Sequence, residues 1–306
     1  MKRNPEQMEA KILSKGGFYM TSKVKKFLMF PIAALVIAGL VFATGCSGGA
    51  TSSGSTPIPG QAELSGKITE AGSTSVLPLA EKFALAFMEK YPKVTVTYTG
   101  GGSGAGAKQC AEGTVDIGAT SRELKLKEAD LVSYPIARDG VAIVVNNANS
   151  ASDLTLEQAA RIFAGEITDW NEVGGKAGKV TVYTREEGSG TRDCFEHGVT
   201  KKYGKKITAA AIAKKSNGEI QMAIQGDAAG IGYVSLGYIE GVKALDLNGV
   251  KCSMETCKSG KYPIVRRLYF HTKGTPSEME KAFIDFCRGA EGQKIVEDMG
   301  YIRLVS

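Results

Sequence analysis

Three short glycine–hydroxyl runs, each lying where an extended segment gives way to a helix, constrain this chain more than any other feature. They are Gly72-Ser73-Thr74-Ser75, Gly100-Gly101-Gly102-Ser103-Gly104 and Gly188-Ser189-Gly190-Thr191. A helix N-terminus presents unpaired N–H groups and the positive end of its dipole, so it attracts anions. Glycine lets a backbone approach a ligand closely, and serine and threonine add donors without adding charge. One such run is an ordinary capped turn. Three of them, the last led by Arg185, predict a site that surrounds a small oxyanion.

The periodicity around these runs reads as alternating strands and helices. Val76, Leu79, Ala80, Phe83 and Phe87 recur at helical spacing, with Pro78 in the first turn, where a missing N–H does no harm. Residues 94–98 alternate as a strand, a helix follows over about 105–112, and 115–118 form a short buried strand. Residues 141–146 are continuously apolar, as strands of parallel sheets are. Thr155 and Gln158 have capping-box spacing. Strands are predicted over 180–183, 230–236 and 268–271, and helices from about 192 and over 219–224, 277–288 and 291–299. This order predicts an α/β fold in which each lobe is a mostly parallel sheet flanked by helices. Ligands of such sheets lie beyond the carboxyl ends of the strands, where all three runs fall.

The first 45 residues read as a leader. Lys23, Lys25 and Lys26 precede an apolar run over 27–43, and Ala43-Thr44-Gly45-Cys46 follows, a lipoprotein-type signal in which Cys46 bears the lipid. Met20 is an alternative start. Residues 46–66, rich in Ser, Gly, Thr and Pro, read as a flexible tether. The protein is therefore expected outside the cytoplasm, lipid-anchored to the outer face of the cell membrane. The ~240 residues that follow exceed the usual single core, which predicts two lobes. The division is 67–146 and 263–306 for the first lobe and 147–262 for the second.

Charge narrows the partners. The leader holds seven of the 38 Lys/Arg and two of the 32 acids, leaving 31 basic against 30 acidic residues in the rest. No basic field points to nucleic acid, and anion recognition has to be local. His197 and His271, the only histidines, lack ligand-spaced companions, so neither a metal nor any other cofactor is expected. Cys252 and Cys257 lie in a polar loop and can pair in an exported protein, whereas Cys110, Cys194 and Cys287 sit in helical patterns as free packing thiols.

The run at 185–191 is the most specific. Arg185 offers a bidentate fork, Ser189, Gly190 and Thr191 offer N–H groups and hydroxyls, and Glu187 stands close enough to orient the arginine. Arg122 reads either as a further donor or as a surface charge; Trp170, Tyr233 and Tyr238 read as packing. Taken together, these segments resemble the phosphate-binding lipoproteins of phosphate ABC importers, a family of type II within the periplasmic-binding-protein superfamily. The matching stretches are Gly72-Ser73-Thr74-Ser75-Val76, 100–104, Asp116-Ile117-Gly118-Ala119-Thr120-Ser121-Arg122, 139–146, 162–171, 185–191 and Gly232-Tyr233-Val234-Ser235-Leu236-Gly237-Tyr238. The similarity runs over 66–306.

The resemblance implies two lobes joined by crossing strands, closing on inorganic phosphate in the cleft between them without a metal. It also implies a monomeric receptor that serves an ABC permease with a cytoplasmic ATPase. Thr74, Ser75 and Ser103 match first-lobe donors; Arg185, Ser189, Gly190 and Thr191 match second-lobe donors. Longer members carry a carboxylate at the position of Ser121, where it accepts the proton of monohydrogen phosphate and rejects sulfate. Asp139 is the candidate replacement and Asp116 the second. Two competing functions remain at this stage: a receptor for another oxyanion such as sulfate or molybdate, and a hydrolase of phosphate esters. The folded part has no Gly-x-Ser-x-Gly elbow, and Gly174-Gly175-Lys176 is followed by alanine, not the Ser/Thr of a phosphate-binding loop. A sensor or adhesive lipoprotein using the same lobes is a third option.

Overall fold

The computed structural model describes residues 64–304. The leader, Cys46 and the tether up to residue 63 lie outside the described residues. The chain runs β1 (Gly66–Gly72), α1 (Leu77–Lys90), β2 (Val94–Gly100), α2 (Ser103–Glu112), β3 (Ile117–Thr120), β4 (Leu131–Val145) and β5 (Asp153–Leu154). It continues through α3 (Leu156–Phe163), β6 (Thr181–Arg185), α4 (Gly190–Phe195), β7 (Ile212–Lys214), α5 (Asn217–Gly226) and β8 (Gly230–Ser235). The last elements are β9 (Lys243–Ala244), β10 (Asp246–Leu247), α6 (Met254–Lys258), β11 (Val265–Lys273), α7 (Glu278–Arg288) and α8 (Ala290–Asp298).

A nine-stranded sheet runs in the order β2-β1-β3-β11-β4-β8-β6-β7, with β9 added to β4. Its wings are parallel: β1 with β2 and β3, and β6 with β7 and β8. Its centre is antiparallel, through β3–β11, β11–β4 and β4–β8. The sheet is thus mixed. The apolar run at 141–145, expected to be of the parallel kind, lies antiparallel to β8. Continuous apolarity reports burial on both faces, and here it carries no information about direction.

β4 begins ten residues before that run, and its first half contains Pro135, which argues against a central strand. The pairing with β11 shifts at this point. Ala137 lies opposite Leu268 and Pro135 opposite Tyr269, leaving Ile136 as the extra residue of a bulge that accommodates the proline.

Two hydrophobic cores flank this centre. The first contains Ile68, Phe83, Phe87, Ile136, Leu268, Phe270 and Phe283; the second contains Val141–Val145, Phe163, Phe195, Ile231, Tyr233 and Ile264. Phe87 meets Phe283 edge-on at 5.1 Å between ring centroids, and Phe195 stacks on Tyr233 at 4.1 Å. β4 supplies side chains to both cores, and the chain passes between them at 138–140.

Glycine sets how closely α2 lies on the sheet. A Cβ on Gly106 would fall 2.6 Å from the Ala71 carbonyl oxygen and 2.8 Å from that of Ala119; one on Gly118 would fall 2.6 Å from the Gly106 oxygen. Hydrogen at these positions brings Ser103, the first residue of α2, to the end of β3. Gly106→Ala is expected to lower stability by about 2–3 kcal/mol. The readout is a lower urea midpoint at unchanged slope; an unmoved midpoint would mean that α2 shifts without penalty.

Candidate anion-binding site

The three glycine runs, together with the end of β3, meet at the carboxyl edge of the sheet. β1 ends at Gly72, whose φ of +143° and whose Cα, too close to Ala119 for any side chain, leave room only for glycine. Ser73 N–H donates to the Ala119 oxygen at 3.0 Å, and the N–H groups of Gly101 and Gly102 donate to the Gly72 oxygen at 2.8 and 2.9 Å. These bonds fix the loops after β1 and β2 against each other. After β3, Ser121 N–H donates to Ser103 Oγ at 3.0 Å. On the other side, β6 ends at Arg185, and Ser189 caps α4 by accepting from Arg192 N–H. Gly104 N–H donates to the Gly188 oxygen at 3.0 Å, joining the two groups of loops.

The side chains converge on one buried point. Ser75 Oγ lies 3.0 Å from Thr191 Oγ1 and accepts from Asn217 Nδ2 at 2.9 Å and from Arg266 Nη2 at 2.7 Å. Arg266 Nη1 donates to Ser121 Oγ at 3.2 Å, and Ser121 Oγ is 3.3 Å from Ser103 Oγ. Asn217 Nδ2 also donates to Thr74 Oγ1 at 3.0 Å. Gly190 closes the ring, since a Cβ there would sit 2.3 Å from Ser103 Oγ and 2.5 Å from Ser121 Oγ. Thr74, Ser75, Ser103, Ser121, Gly190 and Thr191 are therefore brought together, and all are buried. The N–H groups of Gly190 and Thr191 open α4 and have no acceptor within the helix.

Asp139 reaches this cluster through an intermediary. Its Oδ2 accepts from Arg266 Nε at 3.1 Å and Nη2 at 2.8 Å, and its Oδ1 accepts from Leu236 N–H at 3.2 Å. Burial pushes its carboxyl up from the usual carboxylate range, against the pull of Arg266 and its other hydrogen bonds. Arg266 thus stands between Asp139 and the hydroxyls.

Arg185 is buried and held by neighbouring groups. Its Nε and Nη2 each lie 2.9 Å from a Glu186 oxygen, and they also donate to the Lys214 and Lys215 carbonyls. Its Nη1 is buried with no partner. Glu186 therefore orients the guanidinium, in place of the expected Glu187, which is exposed. The chain leaves β6 at Arg185, and the turn folds the adjacent side chain back along it. Tyr233 adds support, accepting from Arg185 N–H at 3.1 Å.

Other candidates take other places. Asp116 accepts from the N–H and the hydroxyl of Thr69, both at 2.7 Å, and so ties β3 to β1. Arg122 makes a buried two-pronged pair with Glu128 at 2.7 and 2.8 Å and donates nothing to the hydroxyl cluster. Trp170 is buried, with Nε1 donating to the Ala229 oxygen. His271 bonds Thr120 and Ser133, and burial holds its pKa down at about 4. Among the described residues, no group of three or more His, Cys, Asp or Glu side chains is placed to hold a metal.

Sequence reasoning passed over Arg266 and Asn217. A signal existed for the first: Arg266, Leu268 and Phe270 occupy the same face of β11, so an arginine stands where the period calls for an apolar residue. The cluster's hydroxyls bond one another, an amide and a guanidinium. Such groups bind oxyanions; none of these contacts is a base that would activate a nucleophile. A cavity of about 790 Å³ opens beside them, lined in part by Ser121, Arg122, Lys125, Arg266 and Arg267.

Known proteins share this architecture. The sequence profile of the PBP superfamily domain matches residues 52–291. The chain is 33% identical over 287 residues to phosphate-binding protein PstS of Bacillus subtilis, spanning 92% of this chain and 94% of that protein. A structure from Clostridium perfringens, described as a phosphate ABC transporter substrate-binding protein with bound phosphate, superposes with a TM-score of 0.75 at 37% identity. It covers 78% of this chain and 100% of its own. An ABC-type phosphate transport receptor from Vibrio cholerae superposes at 0.64 with 32% identity, again over 78% and 100%. The chain belongs to the periplasmic-binding-protein superfamily and, within it, to the PstS family of phosphate-binding proteins.

Proposed function

We propose that this protein is a phosphate receptor that captures the anion between its two cores and delivers it to an ABC permease driven by a cytoplasmic ATPase. The observation that carries this reading is the convergence of three strand-end loops and the start of α4 on one buried cluster of hydroxyls and a guanidinium. It acts as a binding protein, not an enzyme, lipid-anchored through Cys46 on the outer face of the membrane and working as a monomer. The two lobes of the clamp correspond to the two cores, with β4 and β11 as the crossing strands.

In the bound state, oxyanion oxygens replace hydroxyl–hydroxyl contacts. Thr74, Ser75, Ser103 and Ser121 donate from the first lobe; Ser189, Gly190 and Thr191 donate from the second. Arg185 contributes its free Nη1 and Arg266 its terminal nitrogens, charge-assisted bonds of the strong kind. Asp139 holds Arg266 in line and balances its charge. A micromolar Kd corresponds to about −8 kcal/mol, within reach of such a shell after desolvation. Capture of sulfate or molybdate is the second reading, and one feature favours it. Hydroxyls, which turn to donate as readily as to accept, form the shell where a carboxylate would reject an anion without a proton.

Equilibrium dialysis with labelled phosphate tests these roles. Arg185→Ala is expected to weaken binding about 100-fold, because it removes a charged donor and leaves Glu186 unpaired. Ser103→Ala is expected to cost about tenfold; equal affinity of Arg185→Ala and the parent would remove Arg185 from the site. Arg266→Gln exposes the anion to the unpaired Asp139 carboxylate, so binding falls by roughly 100-fold or more. Adding Asp139→Asn to Arg266→Gln restores part of that loss. Independent, additive effects would show that Asp139 does not act through Arg266.

A further inference from the structure

We propose that Cys252 and Cys257 are a reversible dithiol–disulfide pair that staples the start of α6 beside the crossing strand β4. The local fold brings them together. Ser253 and Thr256 form a capping box at the start of α6, with each backbone N–H donating to the other's hydroxyl at 3.2 Å. In such a cap the residue before the N-cap and the fourth residue of the helix face each other, positions that an apolar pair often fills. Here both positions are cysteine. The two thiols contact each other, both are buried in the second core, and the Tyr262 hydroxyl adjoins Cys252.

The pair also abuts the crossing. A Cβ on Gly140 would fall 2.6 Å from Cys257 Sγ, and Gly140 follows Asp139 and pairs with Val265 of β11. Tyr262 donates to the Val141 oxygen at 3.2 Å. Cys110, Cys194 and Cys287, by contrast, have no cysteine neighbour among the contacts described, and burial pushes each of their thiols up. Cys252 is the more accessible of the two, 6% exposed against 0% for Cys257, so a donor reaches it first.

The reaction is thiol–disulfide exchange with a disulfide donor, either oxidised glutathione or an oxidoreductase of the export compartment. The Cys252 thiolate attacks one donor sulfur, the donor S–S bond breaks, and one donor thiol leaves. Cys257 then loses its proton and attacks Cys252 Sγ, expelling the second donor thiol. Two protein thiols and one donor disulfide become one protein disulfide and two donor thiols. Oxidation in the cell rests on the proposed export; the pairing itself does not.

Lys251 and Lys258 let trypsin release both cysteines in one peptide, 252–258. The folded full-length protein is equilibrated with oxidised and reduced glutathione, quenched in acid, unfolded, alkylated and digested for mass spectrometry. In the oxidising mixture the 252–258 peptide is expected two hydrogens lighter and unalkylated, while Cys110, Cys194 and Cys287 carry the alkyl group. Excess reduced glutathione returns it to the doubly alkylated form. Cys257→Ser is expected to retain glutathione on Cys252, because nothing resolves the mixed disulfide. A parent peptide doubly alkylated at every ratio, or carrying glutathione without the internal bond, overturns the proposal whatever the outcome for phosphate binding.

Discussion

The ion pair between Asp139 and Arg266 is the interaction on which the rest of the site depends. The two residues are directly opposite each other on β4 and β11, and both side chains are almost wholly excluded from water. Charges in such a place must be paired, and removing one partner strands the other at a cost of several kcal/mol. The pair therefore fixes the register of the two strands at the level where the chain passes between the cores. It also aims the two terminal nitrogens of Arg266 at Ser75 and Ser121, residues that follow β1 and β3. One cross-strand contact thus sets both the junction of the cores and the position of a cation in the hydroxyl cluster.

The same economy governs charge. The folded part is nearly neutral, and each buried arginine beside the cluster has a carboxylate, Glu186 for Arg185 and Asp139 for Arg266. An anion then meets donors already oriented by their own counter-charges, in a medium where reorganisation is small. Selectivity falls to geometry: the two helix starts, the glycine backbones that permit close approach, and hydroxyls that act as donors or acceptors. Gly190 illustrates this, because any side chain there would collide with Ser103 and Ser121. Tyr238 and Tyr301 extend the frame by donating to the carbonyls of Thr74 and Ser75.

Much of this was legible in the sequence where local rules suffice. The glycine runs mark the strand-to-helix junctions, and the Thr155–Gln158 capping box closes as its spacing predicts. The run at 77–90 forms the predicted helix with Pro78 in its first turn. What stayed hidden depends on contacts between distant segments. The first half of β4 carries a proline that only a bulge against β11 makes tolerable. Arg266 is one of two adjacent arginines at the start of β11, and its role shows only when Asp139, 127 residues away, is seen opposite it. Asn217 follows an unremarkable serine cap, and its contact with Thr74 spans 143 residues. Glu186 and Glu187 both lie within two residues of Arg185, and only the turn after β6 chooses between them.

Isothermal titration calorimetry of the purified full-length protein with phosphate, and separately with sulfate at the same pH, tests the central claim most directly. A buried shell of hydroxyls, helix-start N–H groups and two pre-oriented guanidiniums predicts one small oxyanion per chain, with phosphate bound at a micromolar Kd or below. No heat with phosphate, or heat with sulfate alone, would contradict it.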